Sequence, residues 1–434
     1  MSNSCYLKRQ REFILKIPEN SLVIIPNKLP VVRSNDVEYK FRPDSDFYYL
    51  TGFHEPNSIC VFKKEKRSFL YILFLEETSK EKEIWTGKRV GIKGARSIFK
   101  ADKAYSIIDF NEVLRKLSCD VENICFPLGS CKEMDLRITS LVNELRKSNR
   151  NRIKSPKGIS DPREIIHSMR LIKDNYEIDC IQKAAEISKS AHIFAMAYAK
   201  PGMFEYELES LIESKFRSYG AVGPAYPSIV GSGKNSTVLH YIKNDKKIKK
   251  TDLILIDAGS EYDYYASDLT RTFPVTKRFS SIQKDLYEIV LEAQIRAIEQ
   301  VKPQKRFIDS YNKAVVVLVE GLKELKLLKG SISEIISKGK YKKFFMHKLG
   351  HWLGLDVHDA GPYFDKNGNS IKLVPGMIMT VEPGIYISSD LDDVSEKFYG
   401  IGIRIEDDVL VTKNGNKILT GGTPKFIHEI EAFA

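Results

Sequence analysis

The segment LILIDAGSEYDYYASDLTRTFP, residues 253–274, sets the tightest limit on how this chain can fold. An apolar run delivers Asp257, a Gly- and Tyr-bearing turn follows, and a second β-prone run carries Asp268 on to Pro274. That order predicts a β-hairpin. With the turn centred between Tyr262 and Asp263, Asp257 and Asp268 become direct cross-strand partners on one face, their Cα atoms roughly 4.5 to 5.5 Å apart. Two carboxylates held so close in an apolar strand pair repel each other unless a cation neutralises them, and a divalent metal does so most directly. The plain alternative is an exposed hairpin whose turn happens to hold an Asp. Residues elsewhere must decide.

At 434 residues the chain exceeds one ordinary core, so two domains are expected, 1–160 and 161–434. The N-terminus, MSNSCYLKRQREF, has no apolar region of a secretory signal, and the run Phe69–Leu75 is far too short to span a membrane. Six cysteines are sparse and form no C-x-x-C pair; Cys119, Cys125 and Cys131 read as ordinary thiols, and a cytoplasmic location is expected. The net charge of +11 raises nucleic acid as a partner. Residues 1–160 hold 30 Lys and Arg against 20 Asp and Glu, and residues 161–434 hold 38 against 37. In the first part basic and acidic residues interleave without an aromatic-and-basic pattern, so a solvated surface is expected, with neither nucleic-acid nor membrane partner.

Residues 1 to about 150 alternate strand-like runs (SLVIIP, SICVF, FLYILFL) with helical spacing around Met134–Lys147, which predicts an α/β domain with a mixed sheet. The polar, basic stretch RKSNRNRIKSPKGISDP, Arg146 to Pro162, reads as a linker. Beyond it Asp161-Pro162 suits a helix start. Helical spacing recurs over 178–199, 206–219, 283–301 and 311–329, and strand-like runs lie around VLHY, at LILID and from Val374 onward. This predicts an α+β domain with helices outside a bent antiparallel sheet, and leaves room for a diverged internal duplication. GSGKNST, Gly231–Thr237, is not a phosphate loop, because Asn235 follows Lys234 where Ser or Thr is required; it reads as a turn into a strand carrying His240.

Four of the eight histidines, His240, His347, His351 and His358, fall between positions 240 and 358, three of them within FFMHKLGHWLGLDVHD. His347 and His351 have i,i+4 spacing, but Gly350 between them and the missing Glu exclude a zincin helix. Glu382 lies in MIMTVEPGIYI. Glu406 lies in GIGIRIEDDVLV, where Ile401, Ile403 and Ile405 would form one strand face and Arg404 with Glu406 the other. Acidic groups on buried strands must be paired or coordinated. An ion pair with Arg404 would account for Glu406 alone; beside Asp257, Asp268, His351 and Glu382, coordination accounts for all of them.

The set DAG…SDLTRTFPV, HKLGHWLGLDVHD, TVEPGIY and GIRIEDDVLV closely resembles the pita-bread-fold metallopeptidases. FRPDSDFYYLTGFHEP and EIWTGKRVG in the first half resemble the bacterial Xaa-Pro aminopeptidases, also called aminopeptidase P. One departure is Lys348, where this subgroup commonly has Gly. The resemblance implies a pita-bread catalytic domain, 161–434, behind an aminopeptidase P-like α/β domain, and five metal ligands: Asp257, Asp268, His351, Glu382 and Glu406. It implies two divalent ions, with Mn²⁺ favoured by the oxygen-rich set, and a bridging hydroxide that attacks the peptide bond between an N-terminal residue and a following proline. Glu382 would shuttle the proton, His240 and His358 would position substrate and oxyanion, and His347 and Arg404 would shape the substrate pocket. The expected partners are peptides with proline second, in a homo-oligomer, dimer or tetramer. The alternatives are a prolidase acting on Xaa-Pro dipeptides and a non-catalytic binding module, which is recognised by lost ligands.

Overall fold

The computed structural model describes residues 4–66, 68–119, 121–147 and 155–434. The chain divides into two compact units, residues 1–169 and 170–434. In the first, the runs expected as strands join a six-stranded sheet in the order 103–106, 69–75, 59–64, 21–26, 123–125, 158–160. Ser21–Pro26 runs antiparallel to Ile59–Lys64 and parallel to Asn123–Cys125, so the sheet is mixed. Its inner strands are near-continuous apolar runs because both their faces are buried. Leu22, Ile24, Ile72 and Phe74 share one core with Ile138 and Leu145 of the helix Lys132–Lys147.

The linker reading needs correction at both ends. Arg146 and Lys147 close that helix, residues 148–154 lie outside the described residues, and Gly158–Ser160 pairs in parallel with Asn123–Cys125 as an edge strand. A three-residue edge strand has no hydrophobic alternation of its own, so only its Gly and Pro neighbours showed in the sequence.

In the second unit, helices Asn175–Tyr198, Glu205–Ser218, Ser281–Ile298 and Phe307–Glu324 bury apolar faces in one core with the strands. Among the described residues the strand pairs here are antiparallel. The hairpin forms in two stretches of one register: Leu253–Asp257 with Thr270–Pro274, then Ser260–Tyr262 with Tyr265–Ala266. Its turn is Asp263-Tyr264, at φ 50° and 68°, the left-handed pair that a two-residue hairpin requires. Asp257 therefore faces Thr270, and Asp268 is diagonal to Asp257 rather than opposite it. Moving the turn by one residue shifts each partner by two, so both carboxylates stay on one face. Between the stretches the strands converge so closely that a Cβ on Gly259 would lie 1.8 Å from the Ser267 carbonyl oxygen.

A second ladder repeats this plan. Ile378–Val381 pairs with Asp407–Val411 and Gly384–Ile387 with Ile401–Arg404, again in one register, and both strands break between the two stretches. Glu382 and Glu406 occupy facing positions in that break. Glu406 keeps the parity of Arg404, as the alternation suggested, and both side chains reach Thr270 Oγ1, at 2.7 and 3.3 Å. The likeness of the two ladders fits a diverged duplication. Beside the second ladder the segment 349–353 adds as an edge: the Thr380 amide donates to the His351 carbonyl at 2.9 Å and the Glu382 amide to that of Leu349 at 2.8 Å. A Cβ on Gly350 would lie 2.0 Å from the Thr380 carbonyl oxygen, so glycine is required between the two histidines. The strand expected around VLHY is absent; residues 238–241 form an irregular loop.

Candidate metal centre

The two ladder breaks bring the carboxylates together. Asp257, Asp268 and Glu406 are buried, and Glu382 keeps 18% of its side chain exposed, toward a cavity. Asp268, His351 and Glu406 offer ligand atoms that all lie within 4.8 Å of one another. His351 Nε2 lies 3.3 Å from Asp268 Oδ2 and 3.8 Å from Glu382 Oε1, while its Nδ1–H donates to the Trp352 carbonyl at 2.9 Å. That last bond fixes the tautomer and turns the Nε2 lone pair toward the carboxylates, the arrangement a metal-binding imidazole needs.

Charge in this cluster is unbalanced. Burial pushes Glu382 up to about 8 and raises Asp257 and Glu406 above the usual carboxylate range, with Asp268 adding repulsion to each. Asp268 itself is held low: against the desolvation of its site, the His351 imidazole stabilises its charge. The same pair lifts His351 to about 9, against desolvation that would lower it. Tyr226 Oη lies 2.7 Å from Asp257 Oδ1 and 2.5 Å from Asp268 Oδ1, and a hydroxyl has one proton for these two acceptors. Four acidic groups facing one imidazole, one shared hydroxyl and one guanidinium are short of positive charge. The donor set fits divalent cations.

Arg404 heads a fixed relay. Its Nη2 donates to Asp257 Oδ2 at 2.7 Å and its Nη1 to Tyr386 Oη at 3.0 Å. Tyr386 Oη lies 2.9 Å from His347 Nε2, whose Nδ1–H donates to the Lys348 carbonyl at 2.7 Å. The bland pairing of Arg404 with Glu406 is therefore not made; Glu406 Oε2 instead accepts from Thr270 Oγ1 at 2.7 Å. His347 is lowered to about 4, by desolvation first and then by Arg404, and so is neutral. It sits at a bend in an irregular segment, in keeping with the exclusion of a zincin helix.

Two adjoining cavities of about 380 and 310 Å³ share His240, Asp257, His351, His358 and Glu382. His347 and Arg404 line the larger one, and Tyr226, Asp268 and Glu406 the smaller. His240 and His358 are exposed on irregular loops, and the His358 ring meets the His351 ring edge-on at 4.3 Å. All nine residues singled out in the sequence thus border one site. Sequence reasoning missed Tyr226, Tyr386 and Thr270. Tyr386 could have been found, since it alternates with the core residues Ile385 and Ile387 and so shares the parity of Glu382. Tyr226 lies in no periodic element.

Residues 179–413 match the metallopeptidase family M24, and residues 6–125 match the aminopeptidase P N-terminal domain. The chain belongs to the M24 metallopeptidases. It is 39% identical to the Xaa-Pro aminopeptidase of Escherichia coli K12, covering 100% of this chain and 98% of that one, and 35% identical to human Xaa-Pro aminopeptidase 3, covering 95% and 80%. Its fold superposes on the Pseudomonas aeruginosa aminopeptidase PepP with a TM-score of 0.97, at 43% identity over 100% and 98% of the two chains. It superposes equally, at 39% identity, on a zinc-substituted E. coli aminopeptidase P in complex with product. The first unit is thus the aminopeptidase P N-terminal domain and the second the pita-bread domain. An M24 metallopeptidase with this cluster is a metal-dependent hydrolase that binds divalent ions.

Proposed function

We propose that this protein is a Xaa-Pro aminopeptidase, hydrolysing the bond between an N-terminal residue and a following proline. The observation that carries the reading is the full-length likeness to the E. coli enzyme at a TM-score of 0.97, in a chain whose site residues border two adjoining cavities. Asp257, Asp268, His351, Glu382 and Glu406 would hold two divalent ions, with Mn²⁺ favoured by four carboxylates and one imidazole. When bound, such ions polarise a carbonyl and acidify water.

The remaining work falls to the chain. Glu382, at the cavity wall and 3.8 Å from both His351 and His347, takes the proton of the attacking water and delivers it to the departing prolyl nitrogen. His240 and His358, exposed on separate irregular loops, orient the scissile carbonyl and donate to its developing oxyanion. The relay from Asp257 through Arg404 and Tyr386 fixes His347 in one tautomer, so the pocket wall presents a rigid surface. The bond to proline has no N–H for a peptidase to grip, so packing against the pyrrolidine ring must supply recognition. Two lobes meeting at the carboxylates suit the residues on either side of that bond.

The same reading makes the protein a cytoplasmic homo-oligomer. The exposed Val31, Val32, Val37, Ile84 and Trp85 of the first unit support self-association, and six free cysteines suit a reducing compartment. No helix among the described residues is long and apolar enough to cross a membrane.

Kinetics on matched Xaa-Pro, Xaa-Pro-Xaa and Xaa-Ala-Xaa peptides with Mn²⁺ test the reading. Tripeptides with proline should be cleaved best, with proline favoured over alanine by roughly 10- to 200-fold in kcat/KM, the range of pocket packing. Preference for the dipeptide would make the protein a prolidase, and indifference to proline would defeat both assignments.

A further inference from the structure

His240 reaches the site from a loop with no strand to hold it. The loop runs from Ser232, at the end of the strand Ile229–Ser232, to Lys246, and a single buried carboxylate secures both its ends. Glu205, the first residue of the helix Glu205–Ser218, has no exposed surface. Its Oε1 accepts from the Ser232 amide at 2.8 Å, from Ser232 Oγ at 2.7 Å and from Asn235 Nδ2 at 3.0 Å. Its Oε2 accepts from Tyr241 Oη at 2.7 Å and from the Lys246 amide at 3.0 Å. One oxygen holds the start of the loop and the other its end, and Tyr241 is the immediate neighbour of His240. Tyr241 packs beside Ile229, Leu255 and Tyr386, so its hydroxyl bond fixes where the loop meets the site. These five bonds exceed what capping a helix needs, and none of the donors belongs to that helix.

We propose that Glu205 is a positioning residue for His240, setting the approach of that imidazole to the substrate carbonyl while touching neither substrate nor metal ligands. The inference rests on His240 serving the peptidase site as described above. Glu205→Gln keeps the shape of the side chain but replaces one acceptor oxygen with an NH₂ that faces donors. Loop displacement of about an ångström should lower kcat/KM on Xaa-Pro-Xaa peptides by tenfold or more, with metal content per chain unchanged.

A double-mutant cycle separates positioning from general damage. If Glu205 acts through His240, then Glu205→Gln added to His240→Ala should cost less than about twofold further; losses that multiply would overturn the proposal. Should Glu205→Gln fold poorly, Tyr241→Phe removes only the Oε2 contact nearest His240 and should show the same non-additivity with a smaller loss. Hydrogen–deuterium exchange gives a readout independent of activity: in Glu205→Gln, residues 232–246 should exchange faster while the ladders at 253–274 and 378–411 stay protected. Unchanged exchange in the loop would defeat the proposal even if the peptidase assignment itself failed. A wild-type protein that cleaves no Xaa-Pro peptide but shows the loop effect would defeat only that assignment.

Discussion

The floor of the site and its rim are held by different means. Asp268, Glu382 and Glu406 sit in breaks of two antiparallel ladders, and Asp257 at the edge of one; the registers continue on both sides, so strand hydrogen bonds hold the carboxylates from two directions. His240 and His358 ride on irregular loops, each secured by a buried carboxylate. For His240 this is Glu205. For His358 it is the adjacent Asp359, which accepts from Arg170 Nη2 at 2.5 Å and Lys173 Nζ at 2.9 Å. Metal ligation tolerates little displacement, and the ladders supply that rigidity; groups that follow a substrate can sit on separately tethered loops.

The largest expected effect falls on the floor. Asp268→Ala removes the carboxylate that lies nearest His351 and shares Tyr226 with Asp257. It should abolish activity and lower the metal content measured on purified protein, while the fold persists, because one fewer acidic group relieves repulsion on Asp257 and Glu406. A folded, active variant that retains two ions per chain would show that the ladder break is not the metal centre.

An intermediate effect is expected at the rim. His358 is exposed and meets the His351 ring edge-on, and desolvation, then that neighbour, lowers its pKa. His358→Ala should leave metal content intact while kcat/KM falls by ~10² to 10³, as for loss of an oxyanion-stabilising donor. Metal lost in proportion to activity would move His358 from the rim to the floor.

The same division explains what the sequence reveals. Asp257, Glu382 and Glu406 were readable because each interrupts or ends an apolar run and Asp268 because it lies in the β-prone return of the hairpin, and period-two alternation shows which face an acidic residue shares even when the turn is misplaced by one residue, as at Asp263-Tyr264. No glycine marks that turn, since Asp tolerates the left-handed region. The rim was readable only as histidines. Nothing local tells that VLHY is a loop, because its geometry is imposed by Glu205, 35 positions before His240, through contacts that leave no periodic trace. Tyr226 escaped for the same reason.

The smallest expected effect concerns a group that tethers the floor from behind. His192, wholly buried on the helix Asn175–Tyr198, donates Nε2–H to the Ala258 carbonyl at 2.9 Å, immediately after Asp257, and its Nδ1 has no hydrogen-bond partner among the described residues. Desolvation lowers its pKa to about 4, whereas an unfolded histidine titrates near 6.5. Between those values the unfolded chain binds the extra proton. The stability this neutral imidazole preserves is therefore complete above about pH 6.5 and lost as pH falls toward 4, amounting to about 2 kcal/mol at pH 5. His192→Gln retains an N–H donor and cannot take a proton. Urea denaturation of both proteins at pH 7.5 and 5 should show the wild type losing about 2 kcal/mol more than the variant over that interval. Parallel losses would mean that acid acts on the ladders through their carboxylates alone, and that the tether behind Asp257 does not titrate.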